Sequence, residues 1–478
     1  MNKTAMQTNV IQANDAPAIT PDMLQKYDVA GPRYTSYPTA DRFVEAFTEN
    51  AYLQALEQRR MTGANLPLSI YVHIPFCESL CFFCACNKIV TKHHERSAEY
   101  LTYLRHEIAL HLEHLAPKDI YKAPTISQLH LGGGSPTFFS DSELSELMAM
   151  LKENFIFAEG GEYSIEVDPR TVNDARLAHL ASLGFNRLSF GVQDFDEQVQ
   201  KAVHRIQPES QVFSLVETAR RLGFDSVNVD LIYGLPKQSP ASFTRTLAQI
   251  VSLKPDRVAL YAYAHLPERF KPQRRIDTYA LPEAADKIAM LSNAISTLMS
   301  AGYVYVGMDH FALPEDDLAV AKRQGRLHRN FQGYSTQPDC DLISLGVSAI
   351  GRVGNTYSQN AKTIEEYYDA LKQNRLPIVR GLALSRDDLV RRAVIMAIMC
   401  QGELQYEAIE LAYMIDFKSY FANELVMLKE QEATGMVELD DEGLLVTDTG
   451  WFFVRAIAMV FDRYLQTDRN RARFSKII

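Results

Sequence analysis

Hydrophobic positions along this chain keep two periods, and the alternation between them outlines a parallel α/β protein. From residue 67 onward, six short runs of β-branched or alternating residues recur: SIYVHIPF (69–76), SQLHLGGG (127–134), YSIEVDP (163–169), RLSFGVQ (187–193), SVNVDLIYG (226–234) and RVALYAYA (257–264). Runs of this kind read as strands. Between them lie stretches of helical period, among them EYLTYLRHEIALHLEHL, DSELSELMAMLKENF with its Asp/Ser start, and SFTRTLAQIVSL. Parallel pairing needs such a crossover after each strand. The spacing therefore predicts six strand–helix units within residues 67–300. A complete eight-unit barrel needs about 250 residues, so the expected fold is an incomplete (β/α)6 barrel.

The flanks read differently. Residues 1–66 form an N-terminal extension: a polar leader, a Pro/Tyr-rich loop GPRYTSYPTA (31–40), and a helical stretch FVEAFTENAYLQALEQRR. Residues 301–385 read as a connecting region mixing helical and short strand signals, with MDHFALPEDDLAVA and HRNFQGYSTQPDCD. Residues 386–478 are mainly amphipathic helix, interrupted by VELDDEGLLVT, a hairpin with Glu442-Gly443 near its turn. A small, mainly helical, winged-helix-like C-terminal domain is expected there.

Composition narrows the function classes. With 478 residues, 47% of them hydrophobic, the chain can bury more than one core, which excludes a disordered or fibrous protein. Lysine plus arginine is 49 against 59 aspartate plus glutamate, a net charge of -10, opposite to the footprint of a nucleic-acid-coating protein. An anionic substrate must therefore find positive charge locally. The first twenty residues lack a basic start followed by an apolar stretch, and no apolar run approaches the roughly 20 residues that span a bilayer. A cytoplasmic protein with no membrane or nucleic-acid partner is expected, and a monomer by default.

Two features carry chemistry. The predicted strands end in polar groups: Gly132, Gly133 and Gly134, then Glu166 and Asp168, then Gln193 and Asp194, then Asp230, then Tyr263 and His265. In a βα barrel the C-terminal strand ends build the active site. Any one of these is as readily a loop-flanking group, but five successive strands repeat the pattern. The second feature is HIPFCESLCFFCACNK, which places Cys77, Cys81, Cys84 and Cys86 directly after the first strand. Zinc prefers two separated pairs and disulfides do not suit a reducing compartment, so an iron–sulfur cluster fits better. If Cys77, Cys81 and Cys84 hold three irons of a [4Fe–4S] cubane, the fourth iron can chelate a small molecule; if Cys86 closes that position, the cluster carries electrons. Cys340 and Cys400 lie apart and read as buried structural thiols.

Cys-x3-Cys-x2-Cys after a first strand resembles the radical S-adenosylmethionine (SAM) superfamily. GPRYTSYPTA, YVHIPFC, CNKIVT, QLHLGGGSPT, SIEVDPR, GFNRLSFGVQDF, DLIYGLPKQ, YAHLP, MDHFA, LHRNFQGY and GVSAI together resemble its oxygen-independent coproporphyrinogen III oxidase (dehydrogenase) family, from about residue 20 to 478. The related haem chaperones share the barrel motifs but typically lack the fourth cysteine and the leader motif, and this chain has both. Ala85 and Leu131 are small departures from the family pattern.

The resemblance implies a cluster on Cys77, Cys81 and Cys84 that sends one electron into SAM, giving methionine and a 5′-deoxyadenosyl radical. It places Tyr71, Phe83, Gly133, Glu166 and Ile350 against that SAM, with Glu166 joining the three cysteines in the catalytic set. It also implies a second SAM at Gly134, Ser135, Gln193, Arg205, Asp230 and Ala264. Without the cysteines the first set would read as a tight turn, a loop carboxylate and core packing, and Arg205 reads equally as a solvated helix charge. The implied substrate is coproporphyrinogen III, a reduced tetrapyrrole with several carboxylates. Hydrogen is taken from a propionate β-carbon, carbon dioxide and an electron leave, and a vinyl group remains; a second round gives protoporphyrinogen IX. Reduced flavodoxin or ferredoxin is the implied electron donor. Because arginine pairs carboxylates bidentately, Arg33 with Tyr34 and Tyr37, and Arg329 with His328 and Asn330, are candidates for substrate contacts or a lid, against an equal reading as loop packing. His73 and His310 are open between cluster tuning and packing. Alternative readings are a haem chaperone that moves haem to a client, or a radical SAM enzyme acting on haem.

Overall fold

The computed structural model describes residues 20–467 apart from 28, 64–65 and 117–122. The leader before residue 20 and the stretch 468–478 lie outside the described residues. Strands β1 (Leu68–Ile74), β2 (Thr125–Gly133), β3 (Ile156–Val167), β4 (Arg187–Gln193), β5 (Ser226–Tyr233) and β6 (Arg257–Ala262) pair in chain order, every pair parallel. Helices α1 (Glu95–Leu115), α2 (Asp141–Asn154), α3 (Asp174–Leu183), α4 (Glu209–Arg221) and α5 (Pro240–Leu253) make the crossovers. Their ends follow local rules. Ser140 and Glu143 close a capping box on α2, Ser239 and Ser242 close one on α5 with Pro240 in its first turn, and Gly184 ends α3 at φ +98°.

The two-residue period of the strands separates the sheet into unlike faces. One carries Ile70, Val72 and Ile74, then Leu129 and Leu131, Ile165 and Val167, Leu188, Phe190 and Val192, Val227, Val229 and Leu231, and Val258 and Leu260, none more than 3% exposed. These join the apolar sides of the crossover helices in one core, and each such side chain contributes roughly 1.5–3 kcal/mol by leaving water. The other face is polar along the register: Tyr71 beside His130, His130 beside Ser164, Glu166 beside Ser189, and Gly191 beside Asp230. A face so lined solvates a polar ligand rather than filling itself with side chains.

The sheet extends beyond the six strands. β7 (Val304–Gly307) and β8 (His310–Ala312) continue it past β6 through antiparallel pairs. On the other flank β9 (Asp341–Leu345) lies parallel to β1, followed by antiparallel β10 (Ile350–Val353), β11 (Thr356–Asn360) and β12 (Ile378–Ala383). The order is β12-β11-β10-β9-β1-β2-β3-β4-β5-β6-β8-β7, with two open ends. The stretch expected to connect domains thus builds six strands of the same sheet. The helix expected from residue 43 begins at Glu49, because Val44 exchanges backbone bonds with Gly381 at 2.8 and 3.1 Å and so covers the β12 edge.

The C-terminal part combines helices, such as Arg386–Gln401 and Ala422–Glu432, with an antiparallel sheet of Glu403–Gln405, Gly443–Val446 and Val437–Leu439. Asp440 accepts the Glu442 and Gly443 amides at 2.8 and 2.7 Å, which makes the hairpin turn where the sequence places it. Among the described residues, no helix is long and apolar enough to cross a membrane.

Candidate active site at the cysteine loop

The cysteine loop is fastened at its base and on two sides. Phe76–Cys77 pairs with Ile89–Val90, and Thr91 donates its amide to the Cys77 carbonyl at 2.9 Å. On the β4 side, Phe82 donates its amide to Val203 at 2.9 Å and stacks on His204, 5.1 Å between centroids, while His204 Nδ1 donates to the Leu80 carbonyl at 2.8 Å. On the β6 side, the buried Gln273 amide donates to the carbonyls of Phe83 and Ala264 at 3.0 and 3.2 Å. Phe83, expected at the first SAM, and Ala264, expected at the second, are thus joined by a residue whose sequence context gives no signal.

Arginines meet the thiols. Arg170 Nη2 and Arg205 Nη1 both lie 3.5 Å from the buried Cys81 sulfur, and both reach Asp168, at 2.7 and 3.1 Å. Burial pushes the Asp168 carboxyl up, but Arg205 and Arg170 outweigh it and hold it below its ordinary range. Arg205 is 7% exposed and donates twice to the Gly191 carbonyl, at 3.1 and 2.6 Å. It is therefore not a solvated helix charge. Behind the helix Glu197–Ala202 the chain turns through His204 at φ +56°, which sends Arg205 inward. Burial, reinforced by Cys84 and Cys81, pushes the Cys77 thiol up to about 12. A hydrogen bond from the exposed Cys86 thiol brings Cys84 down to about 6 and raises Cys86.

Among the described residues, no three His, Cys, Asp or Glu side chains converge as the ligands of one metal ion. A cubane asks something else of its ligands: thiolates at separate corners, with positive charge nearby to offset theirs. Cys77, Cys81 and Cys84 on one fastened loop, beside Arg170 and Arg205, suit it. Cys400 is buried elsewhere, and Cys340 is half-buried with its sulfur 3.8 Å from Ser127 Oγ.

Beside the loop, a chain of polar contacts crosses three strands. Tyr71 stacks on His130, 5.9 Å between centroids; His130 Nδ1 is 2.7 Å from Ser164 Oγ and its Nε2 is 3.4 Å from Glu166; the Gly133 amide donates to Glu166 at 3.2 Å. His130 is missed by sequence reasoning, although it stands two residues before Gly132 on the inward period. His73 Nε2 lies 2.9 Å from the Asn87 carbonyl, so that nitrogen carries the proton and Nδ1 accepts from Tyr71 at 3.0 Å. Burial pushes His73 down, which keeps it neutral.

The glycines let backbone approach closely. A methyl at Gly134 would stand 2.6 Å from the Pro75 carbonyl oxygen, and one at Gly133, where φ is +115°, 2.7 Å from the His73 ring. Just after them the buried Ser135 Oγ has no hydrogen-bond partner among the described residues, an unsatisfied group that suits a polar ligand in this cradle. Gln193, at φ +69°, places its amide with Arg205 around Gly191. Asp230 accepts Asn228 at 2.8 Å and Ser189 at 3.3 Å; burial, then the Glu166 charge, raises its carboxyl to about 7. Ile350 comes from β10, its carbonyl taking the hydroxyl of Ser344, the register partner of Tyr71, at 2.6 Å.

The expected substrate residues divide. Tyr34 and Tyr37 are buried anchors, Tyr34 donating to Asp462 at 3.0 Å, so they do not form a lid. Arg33 and Arg329 adjoin each other, Arg329 Nε donating to the Arg33 carbonyl at 3.3 Å, whereas Asn330 donates to Gln128 on β2 at 3.3 Å. Burial pushes His328 and His310 down, His310 to about 3, which removes both as cations.

Comparison with known proteins gives the family. The radical SAM superfamily model matches residues 71–250 and the HemN C-terminal domain model matches residues 384–453. The oxygen-independent coproporphyrinogen III oxidase of Pseudomonas aeruginosa is 49% identical, over 96% of this chain and 98% of its own; that of Escherichia coli is 47% identical, over 95% and 98%. The solved structure of the Escherichia coli enzyme, described as a radical SAM enzyme, superposes with a TM-score of 0.86 at 46% identity, covering 91% of this chain and all of that one. Identity of that level over nearly the whole length, on the same α/β fold, shows that this chain belongs to the oxygen-independent coproporphyrinogen III oxidase family of the radical SAM superfamily.

Proposed function

We propose that the protein oxidatively decarboxylates two propionates of coproporphyrinogen III to vinyl groups, giving protoporphyrinogen IX in anaerobic haem biosynthesis. The observation that carries this reading is the position of the cysteine loop over the polar strand ends, with Arg205 spanning from Cys81 to Gly191. When bound, a reduced [4Fe–4S] cluster with SAM supplies abstraction of hydrogen from an unactivated carbon. Everything else is the work of this chain. Cys77, Cys81 and Cys84 hold the cluster, and Arg170 and Arg205 offset thiolate charge. Gly133 and Glu166 offer a carbonyl-lined turn and a carboxylate to the cationic and ribose parts of SAM, while Tyr71, Phe83 and Ile350 pack on its apolar parts. Gly134, Ser135, Gln193, Arg205, Asp230 and Ala264 form the place for a second SAM. We read β1–β6 with their crossovers as an incomplete (β/α)6 barrel whose polar face admits the tetrapyrrole, and 386–478 as a winged-helix-like domain. Reduced flavodoxin or ferredoxin delivers the electron.

The test is an anaerobic assay of iron-reconstituted, reduced protein with SAM and coproporphyrinogen III, following 5′-deoxyadenosine, methionine and tetrapyrrole mass together. Loss of two carbon dioxide units with matching SAM consumption is expected. SAM cleavage without decarboxylation discards the substrate.

A further inference from the structure

The segment that follows β6 carries positive charge out of keeping with the rest of the chain. Residues 268–277 hold Arg269, Lys271, Arg274 and Arg275 against Glu268 and Asp277, in a protein of net charge -10. All four cations are exposed, and among the described residues none of them forms an ion pair. Gln273, in their midst, is 2% exposed and fastens the segment to the cysteine loop through the Phe83 carbonyl at 3.0 Å. With that side chain turned inward, the short 3-10 helix Lys271–Arg275 sets Lys271, Arg274 and Arg275 outside the loop. Arg275 lies 5.4 Å over the Phe82 ring, and Arg274 Nε donates to the Pro267 carbonyl at 2.9 Å.

Other features mark the same face. Lys88 Nζ reaches the carbonyls of Cys84 and Cys86 at 3.2 and 3.4 Å. The exposed Lys362, whose carbonyl accepts the Asn87 amide at 3.0 Å, feels the charge of Arg269. Two large apolar side chains stand in the open, Ile206 at 56% and Tyr279 at 99%. Both belong to segments that cover one small core, separate from the main one: Val203, Tyr263 and Ile276 are members of it, and Phe82, Phe83 and Leu281 pack against it. On the α2 side of the loop charges are matched instead, Glu78 by His94 at 3.2 Å and Arg176 by Asp141 at 3.0 Å. Unmatched positive charge beside exposed apolar surface is therefore confined to one side of the cysteines.

We propose that this face, with Ile206 and Tyr279 inside a margin of Arg269, Lys271, Arg274 and Arg275, docks a small acidic electron-carrier protein whose redox centre lies at its surface. This rests on the function proposed above, which needs an electron for each SAM cleaved. In the docked pair the carrier gives up one electron and is oxidised by one, the cluster on Cys77, Cys81 and Cys84 is reduced by one, and no bond forms or breaks. An apolar centre within a charged rim is the build of a protein interface, and exposed cations steer an acidic partner into register. The place suits the task as well. SAM and tetrapyrrole gather at the polar strand ends, which leaves the outer side of the loop for the electron, and Phe82 and Phe83, between Cys81 and Cys84 in the chain, pack beneath this face.

The probe is flavodoxin, an acidic protein with its flavin edge exposed, and the first readout is its equilibrium binding to the full chain by fluorescence anisotropy at low and high salt. Lys271→Glu and Arg274→Glu together are expected to weaken binding roughly tenfold at low salt and less at high salt, where the field is screened. Tyr279→Ser is expected to weaken it at both. Lys429→Glu, on the helix Ala422–Glu432, makes the same change in net charge as Lys271→Glu and is expected to leave binding unchanged. Lys271 has no side-chain partner among the described residues, so Lys271→Glu alone keeps the test decisive should Arg274→Glu not fold. The second readout is SAM cleavage: Lys271→Glu should need more reduced flavodoxin for half its maximal rate, yet match wild type when dithionite supplies the electron. Wild-type affinity in Lys271→Glu overturns the surface, and so does equal weakening by Lys429→Glu. Loss of coproporphyrin binding with flavodoxin binding intact assigns the cations to the substrate and overturns the proposal, and cleavage driven by dithionite but never by flavodoxin overturns the acidic carrier. The two readings fail separately: wild-type protein that cleaves no SAM with either reductant refutes the function, whereas cleavage with both, independent of Lys271, refutes the docking face.

Discussion

Replacing Gly133 by alanine tests how the cradle beside the cysteine loop is held. At φ +115° an alanine carries left-handed strain of roughly 1–2 kcal/mol. Its methyl would lie 2.7 Å from Cε1 and Nδ1 of His73. That ring cannot swing aside freely, because Tyr71 holds Nδ1 at 3.0 Å and the Asn87 carbonyl holds Nε2 at 2.9 Å; moving it loses two hydrogen bonds, about 1 kcal/mol each. The expected total is therefore roughly 3–4 kcal/mol. Gly223→Ala is the control: φ there is +80° but nothing lies within 4 Å of the added methyl, so only the strain applies. Anaerobic urea unfolding should place Gly133→Ala below Gly223→Ala by roughly 2 kcal/mol. Because Asn87 belongs to the cysteine loop, Gly133→Ala should also retain less iron after reconstitution. Equal midpoints for the two variants would refute the reasoning, since the strain is common to both.

Serine at Cys77, Cys81 or Cys84 should abolish iron binding and SAM cleavage, while Cys86→Ser should retain the iron; visible absorbance and iron analysis decide, and loss of iron in Cys86→Ser would make that thiol a ligand. Asp230, raised to about 7 in the folded protein, binds its proton more tightly there than unfolded, so stability should fall as pH rises from about 4 through about 7. Asp230→Asn should flatten that fall in a pH series of unfolding midpoints. Arg205→Gln removes the donor shared by Cys81, Asp168 and Gly191, and should lower SAM affinity measured by equilibrium binding while retaining the cluster; unaltered SAM binding would free Arg205 from the site.

What the sequence displays best is repeated pattern. RLSFGVQ is β4 residue for residue, since its apolar positions face the helices without interruption. β3 begins at Ile156, before the expected Tyr163, because Glu159, Gly160 and Gly161 hide a strand that continues through a register shift. β7–β12 are three to six residues each, too short for a period to show. For the candidate site, the cysteines and the strand-end residues stand out in the sequence because each follows a run of strand period, and the structure places them at the ends of β1–β6. Arg205 shows in the sequence only through the family resemblance, and Gln273 not at all: a left-handed residue turns one inward and a short 3-10 helix delivers the other, and neither leaves a periodic trace.

The leader's anchors come from the far end of the chain. Tyr34 reaches Asp462 across 428 residues, and Pro32 reaches Arg455 across 423. At about 5–20 residues per second, a ribosome needs roughly 20–90 s to reach those partners after the leader has emerged. The parallel strands close through crossovers of local sequence and can fold during that interval, whereas Gly31 and Pro32 wait with their carbonyls unclaimed. The loop at 31–37 can therefore dock only after the C-terminal part is made, and a chain cut short before Arg455 lacks the donor to the Gly31 and Pro32 carbonyls.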